Sequence, residues 1–550
     1  MPQTDALDLA PPHGLTSADI NHLDVEDEEW KEAREQRCLP MTLYYCGTEG
    51  MREAREKYLP REVKESDASY NARLGRTVLT NLYLLAVNGL VDRVIAGEIT
   101  SNADVPVVMA GKRADPEKGV AGVEGWLDNI DRQGNAMTAF AMEWLRDAVN
   151  GGLSAVFVDY PPQVLIRRAD GSLDVPSRPE ERALGRRPFC VRYSSNDIIG
   201  RPIGTPGATG WRIEHMRVRE HRVDTSESVF AGKRGEYVRY FRAGDRNAPE
   251  GTPESFASWH LFRKVENPAD GAPRFILDSS GSLRPHVDLP IVILYGRRKS
   301  FGLGDPVFAS AAELQGQHWA KQSDLDNGIH LRSILIWHRA GVTKAEATEQ
   351  VTIAHGRLFW AQNSAASMQV VEAPGAILGI QQEDLKSLEE RIRLCASEPF
   401  TVQDAAHVTA TSDKLRNKPA NSQAESIRNG LEDAMNSLLL LMARWEKPDG
   451  AGGTVNIPSG DLVEVPADVQ FDKALKLTEA PEPALSARTL LELFAKLSDM
   501  PTGWTVEEEM KRLAEQKKDA AERSVAADFM PPDAGALPPG RGQAGQPGQV

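Results

Sequence analysis

The hydrophobic positions in the first third of the chain predict a buried helix, an amphipathic helix and a buried strand. The run from Tyr70 to Gly97 is apolar on most faces, which is typical of a core helix that ends at a glycine. The continuous apolar run from Leu153 to Val158 predicts a buried strand. Between them, an apolar stripe at helical spacing is formed by Met137, Phe140, Ala141, Trp144, Leu145 and Ala148. A helix followed by such a strand is typical of an α+β or α/β layer.

Residues 188–295 predict a strand-rich region, because they are rich in β-branched and aromatic residues with turn residues between them. The candidate strands are Trp211 to Val223, Glu236 to Arg242, Trp259 to Val265 and Leu289 to Leu294. Helices are predicted before and after this region, which favours the α+β class.

A polar helix is predicted after these strands. Asp305 can cap a helix and Pro306 suits its first position, so the helix is expected to run from there to about His330. Polar residues lie around most of its girth: Gln315, Gln317, His318, Lys321, Gln322, Asp324, Asp326 and Asn327. We expect such a helix to need neighbours from elsewhere, for example the same helix of adjacent subunits.

A small β-insert is predicted over residues 333–380. Its candidate strands are Ile334 to Trp337, Val351 to Ile353, Arg357 to Trp360 and Met368 to Val371. A helix from Glu383 to Leu394 closes the insert. Because the two flanking helices can lie side by side, the insert should project from the main body.

The C-terminal part begins with a polar segment whose only basic cluster is Lys414, Arg416 and Lys418. A solvated loop is the simpler interpretation of this cluster, and a DNA-facing loop is the alternative. Ser422 and Glu425 form a capping box that predicts the start of a long helix. The remaining predicted elements are a strand-like stretch, two helices and a disordered tail: Thr454 to Val469, Leu485 to Leu497, Thr505 to about Ala526, and Pro531 to Val550.

The composition is that of a soluble globular protein with several structural units. The chain has 550 residues, of which 41% are hydrophobic and 26% are charged. The most apolar long stretch, Val78 to Ala96, carries Asn81, Asn88, Asp92 and Arg93, which argues against a membrane span. Nothing in the first residues resembles a secretion signal, so we expect the protein to stay in the cytoplasm where it is made. The net charge of −15 argues against a wide nucleic-acid-gripping surface but not against a protein along which DNA slides.

The sequence predicts no catalytic, cofactor or metal site. The four cysteines, Cys38, Cys46, Cys190 and Cys395, have no metal-ligand spacing and are expected to be free thiols. The histidines also lack the spacing of metal-binding pairs. A phosphate-binding loop and a G-x-S-x-G motif are both missing, which excludes an ATP-driven packaging motor and gives no sign of an enzyme.

The order of elements resembles the portal proteins of tailed bacteriophages, most closely a portal-like family otherwise labelled as a domain of unknown function. The resemblance extends from about Tyr70 to Ala526. It depends on Tyr70-x-x-Arg73-Leu74, Asn129-Ile130-Asp131 with Gly134, Ala155 to Pro161, Pro188-Phe189 with Tyr193, Leu289-Pro290, Ser323-Asp324 and Thr409-Ala410-Thr411.

The resemblance implies a multi-part portal fold. Its parts are an N-terminal arm, partly flexible (1–69), an α+β wing with a strand-rich second half (70–302), a first stem helix (303–330), a clip (331–380), a second stem helix (381–398), a channel loop (399–421), a helical crown (422–526) and a disordered tail (527–550). Such proteins form a ring, usually of twelve subunits, at one capsid vertex of the virion.

The resemblance also implies partners and site residues. The partners are other copies of the chain, the terminase large subunit, a head–tail adaptor, the major capsid and scaffold proteins, and double-stranded DNA without sequence preference, but no membrane. Candidates for the DNA channel are Lys321, Lys414, Arg416 and Lys418. Candidates for contacts between stem helices are Gln315, His318, Gln322, Leu325, Leu388 and Ile392. An acidic chain with few cations near the bore would guide DNA passively, because a ring of cations would bind phosphates and oppose sliding.

Two other functions remain open. Another capsid-associated or head–tail connector protein should lack the helix, β-insert, helix arrangement. A hydrolase with an unrecognised site should be a monomer that shows catalytic turnover of a substrate. A portal protein should instead appear as a ring with a central hole in electron micrographs.

Overall fold

Helices and strands are both present throughout the residues that the computed structural model describes, which are 15–111, 124–162, 164–168, 172–207, 210–224, 230, 232–265, 274–333, 336–340, 367–371, 375–396, 410–458 and 511–512. The chain divides into two compact units, Met1–Gly460 and Asp461–Val550. In the second unit, the described residues 511–512 are helical. The protein is therefore of mixed α and β structure, as the α+β prediction requires.

The α-helices of the first unit range from single turns to one that is 37 residues long. They are α1 (Ser17–Asn21), α2 (Glu28–Met41), α3 (Gly47–Glu53), α4 (Asp67–Arg76), α5 (Leu82–Val94), α6 (Val107–Ala110), α7 (Met137–Gly151), α8 (Arg178–Ala183), α9 (Ala309–Ser333), α10 (Gly375–Cys395) and α11 (Ala410–Glu446). A π-helical turn, Thr42–Cys46, follows α2.

The strands pair antiparallel throughout the described residues. They are β1 (Thr100–Ser101), β2 (Leu153–Asp159), β3 (Ile166–Arg167), β4 (Leu173–Asp174), β5 (Phe189–Tyr193), β6 (Ile203–Gly207), β7 (Gly210–Asp224), β8 (Lys233–Arg242), β9 (Ser258–Lys264), β10 (Phe275–Ser282), β11 (Ile291–Tyr295), β12 (Arg297–Ser300), β13 (Leu303–Asp305), β14 (Ile336–Ala340), β15 (Ser367–Val371) and β16 (Val455–Asn456). The larger sheets have the orders β10-β9-β8-β7-β6 and β11-β2-β5, and the pairs β1-β16, β3-β4, β12-β13 and β14-β15 complete the set.

The centre of the first unit is formed by α7 and β2, and both predictions for this region are confirmed. Every residue of the predicted α7 stripe is buried, and β2 is buried from Leu153 to Val158. Gly152 ends α7 with a left-handed φ of +81°, and a Cβ there would lie 2.2 Å from the carbonyl oxygen of Gly304. Trp445 of α11 also contacts β2 and donates a hydrogen bond from Nε1 to the oxygen of Val158 at 3.1 Å.

The five-stranded sheet confirms the predicted strand-rich region and packs on both of its faces. Phe241 and Met216 belong to the main core on one face, whereas Val238 and Tyr240 belong to a second cluster on the other face. This division follows from the alternation of side chains along a strand. Leu23 and its neighbours in the N-terminal segment cover the second cluster.

The apolar run from Tyr70 to Gly97 forms two helices, α4 and α5, and the prediction of one helix was wrong. Thr77 has an extended backbone with φ −68° and ψ 132°, and its hydroxyl donates a hydrogen bond to the oxygen of Arg73. The side chain of Asn81 then caps α5 by accepting a hydrogen bond from Leu84 N. Side chains of this kind compete with helical hydrogen bonds. The break is not visible in the hydrophobic pattern, because both helices contribute apolar residues to the core.

The N-terminal segment contributes to the main core, although the sequence predicts a partly flexible arm over residues 1–69. Trp30, Leu43 and Met51 are fully buried there. Asp27 lies in an acidic stretch of this segment, and its carboxylate accepts a hydrogen bond from Trp30 N at 2.9 Å and caps α2. Residues 28–53 are therefore part of the body of the first unit.

Two predicted helix starts were wrong. Asp305 does not cap the polar helix, because it pairs with Arg297 as the last residue of β13, and α9 begins at Ala309. The long helix α11 begins at Ala410, so Ser422 lies inside it and residues 410–421 of the predicted channel loop are helical. The sequence did not predict this first part of the helix, because Pro419 and the polar residues around it leave no apolar residues at helical spacing.

Several predictions lie outside the described residues. They are the candidate strands Val351 to Ile353 and Arg357 to Trp360, the helix Leu485 to Leu497, most of the helix Thr505 to Ala526, and the tail Pro531 to Val550.

Candidate assembly interface

The segment with the most unusual sequence pattern, α9 to α10, forms an antiparallel helix pair. His318 Nε2 lies 3.4 Å from Glu389 Oε1, and Lys321 Nζ lies 2.6 Å from Asp384 Oδ2. Because the partner number falls as the α9 number rises, the two helices run in opposite directions. The prediction that the two helices lie side by side is confirmed.

A pair of antiparallel strands, called the hairpin below, lies between the two helices in the chain. Strands β14 and β15 pair antiparallel, with Ile336 opposite Val371 and Ala340 opposite Ser367. These strands correspond to the first and last of the four predicted strands of the insert. The described residues thus have the predicted order of helix, β-insert and helix.

Helix α10 has one buried face and one open face. Leu385, Leu388 and Ile392 are buried at helical spacing against the body of the first unit. On the remaining girth, Ile380 is 67% exposed and Leu394 is 54% exposed. Charged residues lie between these two apolar side chains, namely Glu383, Lys386, Glu390 and Arg391.

The polar helix α9 packs into the core of its own chain, which corrects the expectation that it needs neighbours. Gln315 is fully buried, and its Oε1 accepts hydrogen bonds from Leu82 N at 3.0 Å and Tyr83 N at 3.3 Å. Its Nε2 donates to the oxygen of Thr80 at 2.9 Å. A buried amide here satisfies the N-terminal backbone groups of α5.

Most of the predicted contact residues of the stem are core residues of the single chain. Gln315, His318, Leu325, Leu388 and Ile392 are all buried, so they are not open to a neighbouring subunit. Gln322 is half-buried, and its Nε2 donates to Asp326 Oδ1 at 2.8 Å. Their polarity and spacing alone gave no sign of these intrachain partners.

Helix α4 supplies further partners that sequence reasoning did not assign to the site. Arg76 Nη2 donates to Asn327 Oδ1 at 2.7 Å, and Arg73 Nη1 lies 3.8 Å from Asp324 Oδ1. Burial raises the pKa of the Asp324 carboxyl, whereas Arg73 acts in the opposite direction. Arg73 was visible in the sequence as part of the Tyr70-x-x-Arg73 motif, but nothing indicated what it contacts.

The candidate channel cation Lys321 is paired within the chain. Its ion pair with Asp384 is half-exposed, with side-chain exposures of 43% and 53%. A carboxylate this close offsets the positive charge that DNA would meet. The structure describes only the helical backbone of α11, and not the side chains, at Lys414, Arg416 and Lys418.

A protein-family model described as a domain of unknown function, DUF4055, matches residues 308–446. The matched range begins just before α9, includes the hairpin and α10, and ends with α11. No curated protein matches the chain. One family model thus covers both the helix–hairpin–helix segment and the long helix, and its description states no function.

Metal clusters, membrane-spanning helices and disulfides are all missing from the described part of the chain. No group of three or more histidine, cysteine or acidic side chains there is arranged to hold a metal ion. None of the described helices has both the length and the apolar character needed to cross a bilayer. The four cysteines are free thiols.

Proposed function

We propose that the chain is the portal protein of a tailed bacteriophage, a ring-forming subunit at one capsid vertex through which DNA is packaged and ejected. The observation that carries this proposal is the antiparallel pair α9 and α10 joined through the β14–β15 hairpin. This is the arrangement of stem and clip that the resemblance implies. The family match supports it, because it extends over this segment and α11.

The open face of α10 supports assembly with other copies of the chain. Ile380 and Leu394 are exposed apolar residues on a helix whose opposite face is buried. A head-to-tail ring covers such a face with a different surface of the next subunit. The stem contact is therefore proposed for the outer face of α10 and not for the buried residues of α9.

The proposal assigns the partners of the assembled ring. The hairpin end would meet the terminase large subunit during packaging and a head–tail adaptor afterwards, and the body would meet capsid and scaffold proteins. DNA would pass without tight binding, in line with the net charge of −15 and the pairing of Lys321 with Asp384. The driving force would come from a separate ATPase.

The test is electron microscopy of the purified full-length protein, combined with light scattering. Rings with a central hole, of about twelve subunits, are the expected result. Monomers at high concentration would contradict the proposal, and a particle without a hole would favour another capsid-associated protein.

A further inference from the structure

A group of polar side chains shares one face of the five-stranded sheet at the end of β8, β9 and β10. Arg242 lies opposite Ser258, and Ser258 lies opposite Ser282. The next row on the same face contains His260 opposite Ser280. Residues two apart on a strand point to the same side, so these five side chains are neighbours on one surface.

A cavity of about 370 Å³ lies over this surface. The five side chains line it together with Pro253, Glu254 and Phe256 of a neighbouring loop. Arg284 lies over the ring of Phe256 at 5.0 Å, which adds a second guanidinium at the edge of the loop. The volume is at the lower end of the range of small-molecule sites.

His260 has a hydrogen-bonding atom that the chain does not use. Its Nε2 lies 3.2 Å from Ser258 Oγ, whereas Nδ1 is buried and has no hydrogen-bond partner among the described residues. The ring stacks on Tyr240, which in turn contacts His215 Nδ1 through its hydroxyl at 2.7 Å. Burial, with help from Arg242, lowers the pKa of His260 to about 4, so the imidazole is neutral at pH 7.

We propose that this cavity binds a small phosphate monoester through its phosphate group. Ser258 donates its hydroxyl hydrogen to His260 Nε2, which leaves Nδ1–H as the donor of the neutral imidazole. This N–H, the two remaining serine hydroxyls and the guanidinium provide several donors for the three terminal oxygens, and hydrogen bonds from a cation to an oxyanion are the strongest of these. A carboxylate ligand has only two oxygens and would leave donors unused. Glu254, on the loop side, would accept a hydrogen bond from a hydroxyl of the organic part. This site is independent of ring formation.

The experiment is calorimetric titration of the full-length protein with adenosine 5′-monophosphate at neutral pH. Saturable binding of one ligand per chain is expected. Arg242→Gln should weaken it by about tenfold to a hundredfold, since a hydrogen bond to a charged group contributes about 1.5–3 kcal/mol. Ser280→Ala should weaken it several-fold.

Ser279→Ala is the matched control, because Ser279 lies opposite Leu261 and points to the other face of β10. It should bind like the unmodified protein. Ser280 is exposed, so its replacement should not disturb folding, and the comparison of Ser279 with Ser280 stands even if Arg242→Gln fails to fold. Equal affinities of these two serine variants, or no saturable binding, would overturn the proposal.

Two further ligands distinguish the sources of phosphate. Inorganic phosphate should bind more weakly than the monoester, because it lacks the organic part. A short DNA duplex should not displace the monoester, because a double helix is too wide to enter a cavity of about 370 Å³. Displacement by the duplex, with the same sensitivity to Ser280→Ala, would assign the site to DNA and overturn the small-molecule proposal.

Discussion

Gln315 on α9 accepts a hydrogen bond from the backbone nitrogen of Leu82 and so closes the N-terminal end of α5. The distance from Leu82 N to Gln315 Oε1 is 3.0 Å, and Gln315 is fully buried. The first N–H groups of a helix have no partner inside the helix, and water cannot reach them at this place. A polar residue of α9 is thus required by the fold of its own chain.

Replacing Gln315 with Ala is expected to destabilise the fold. The change leaves buried backbone groups of α5 without partners, which costs about 1–3 kcal/mol for each group that loses its hydrogen bond. Urea unfolding followed by circular dichroism measures the difference. Gln317→Ala is the control, because Gln317 is exposed on the same helix and should change stability by less than about 0.5 kcal/mol. Equal midpoints for both variants would show that Gln315 does not stabilise α5.

The parts of the fold that the sequence predicted correctly are those in which burial and periodicity agree. The stripe from Met137 to Ala148 and the run from Leu153 to Val158 are apolar where they are buried. The polarity of α9 misled the prediction, because Gln315 looks the same whether it faces water or buried backbone. Its partner in α5 is distant in sequence, and periodicity holds no information on such pairs.

Local capping signals failed where longer-range pairing had a stronger effect. Asp305 has the sequence context of a helix cap, but its backbone pairs with Arg297 in a short hairpin. The candidate channel residue Lys321 shows the same limit, since its partner Asp384 is 63 residues away. The order of elements around the hairpin was predictable, whereas the faces open to a neighbour were not.

Placing a charge on the open face of α10 is expected to block assembly without unfolding the subunit. Leu394→Arg adds a cation at a side chain that is 54% exposed, so the subunit can tolerate it. If this face meets the next subunit, burial of the guanidinium there is costly. Light scattering should show smaller particles, while circular dichroism should show unchanged secondary structure.

Leu173→Arg is the matched control for this change. Leu173 is 61% exposed and lies on β4, away from α10 in the sequence, and its replacement should leave assembly intact. Rings of normal size from the Leu394 variant would remove the outer face of α10 from the proposed contact.

Neutralising Lys321 is expected to have little effect on either stability or DNA passage. Half-exposed ion pairs such as Lys321 with Asp384 stabilise proteins by about 0–1 kcal/mol. Lys321→Gln should therefore shift urea unfolding only slightly and leave the amount of DNA retained in assembled particles unchanged. A large loss of packaged DNA in this variant would contradict passive guidance.

The basic cluster of α11 allows a separate test of the same idea. Replacing Lys414, Arg416 and Lys418 with Gln should leave packaging and retention of DNA unchanged if the channel avoids tight phosphate contacts. DNA retention at several salt concentrations is the measurement. A retention that falls, and that loses its dependence on salt, would assign these cations to the DNA channel.

Arg217 is expected to hold the N-terminal segment on the five-stranded sheet. Its Nη1 donates to the carbonyl oxygens of His22 and Leu23 at 3.2 Å and of Val25 at 2.9 Å. Arg217→Ala removes these contacts, so hydrogen exchange of residues 19–25 should become faster. Arg219→Ala, on the same strand face, should leave the exchange unchanged. Unaltered protection in the Arg217 variant would mean that apolar contacts such as those of Leu23 are sufficient.

His286 is expected to make the stability of the fold depend on pH between about 4 and 6.5. Burial, with a further contribution from Arg444, lowers the pKa of His286 from 6.5 to about 4, and Asp288 acts in the opposite direction. The unfolded chain therefore binds a proton more readily than the folded chain in this window, so the free energy of unfolding falls as the pH is lowered through it. From pH 7.5 to pH 5 this residue should account for a loss of about 2 kcal/mol.

The variant His286→Phe tests this, because it keeps a ring beside Trp445, whose ring centroid lies 4.8 Å from that of His286. Urea unfolding at the two pH values should show that the loss of stability is smaller by about 2 kcal/mol in this variant. His221→Gln is the control, because His221 is exposed on β7, and it should leave the loss of stability unchanged. If the His286 variant also loses as much stability as the unmodified protein, the folded chain accepts a proton at His286 without cost.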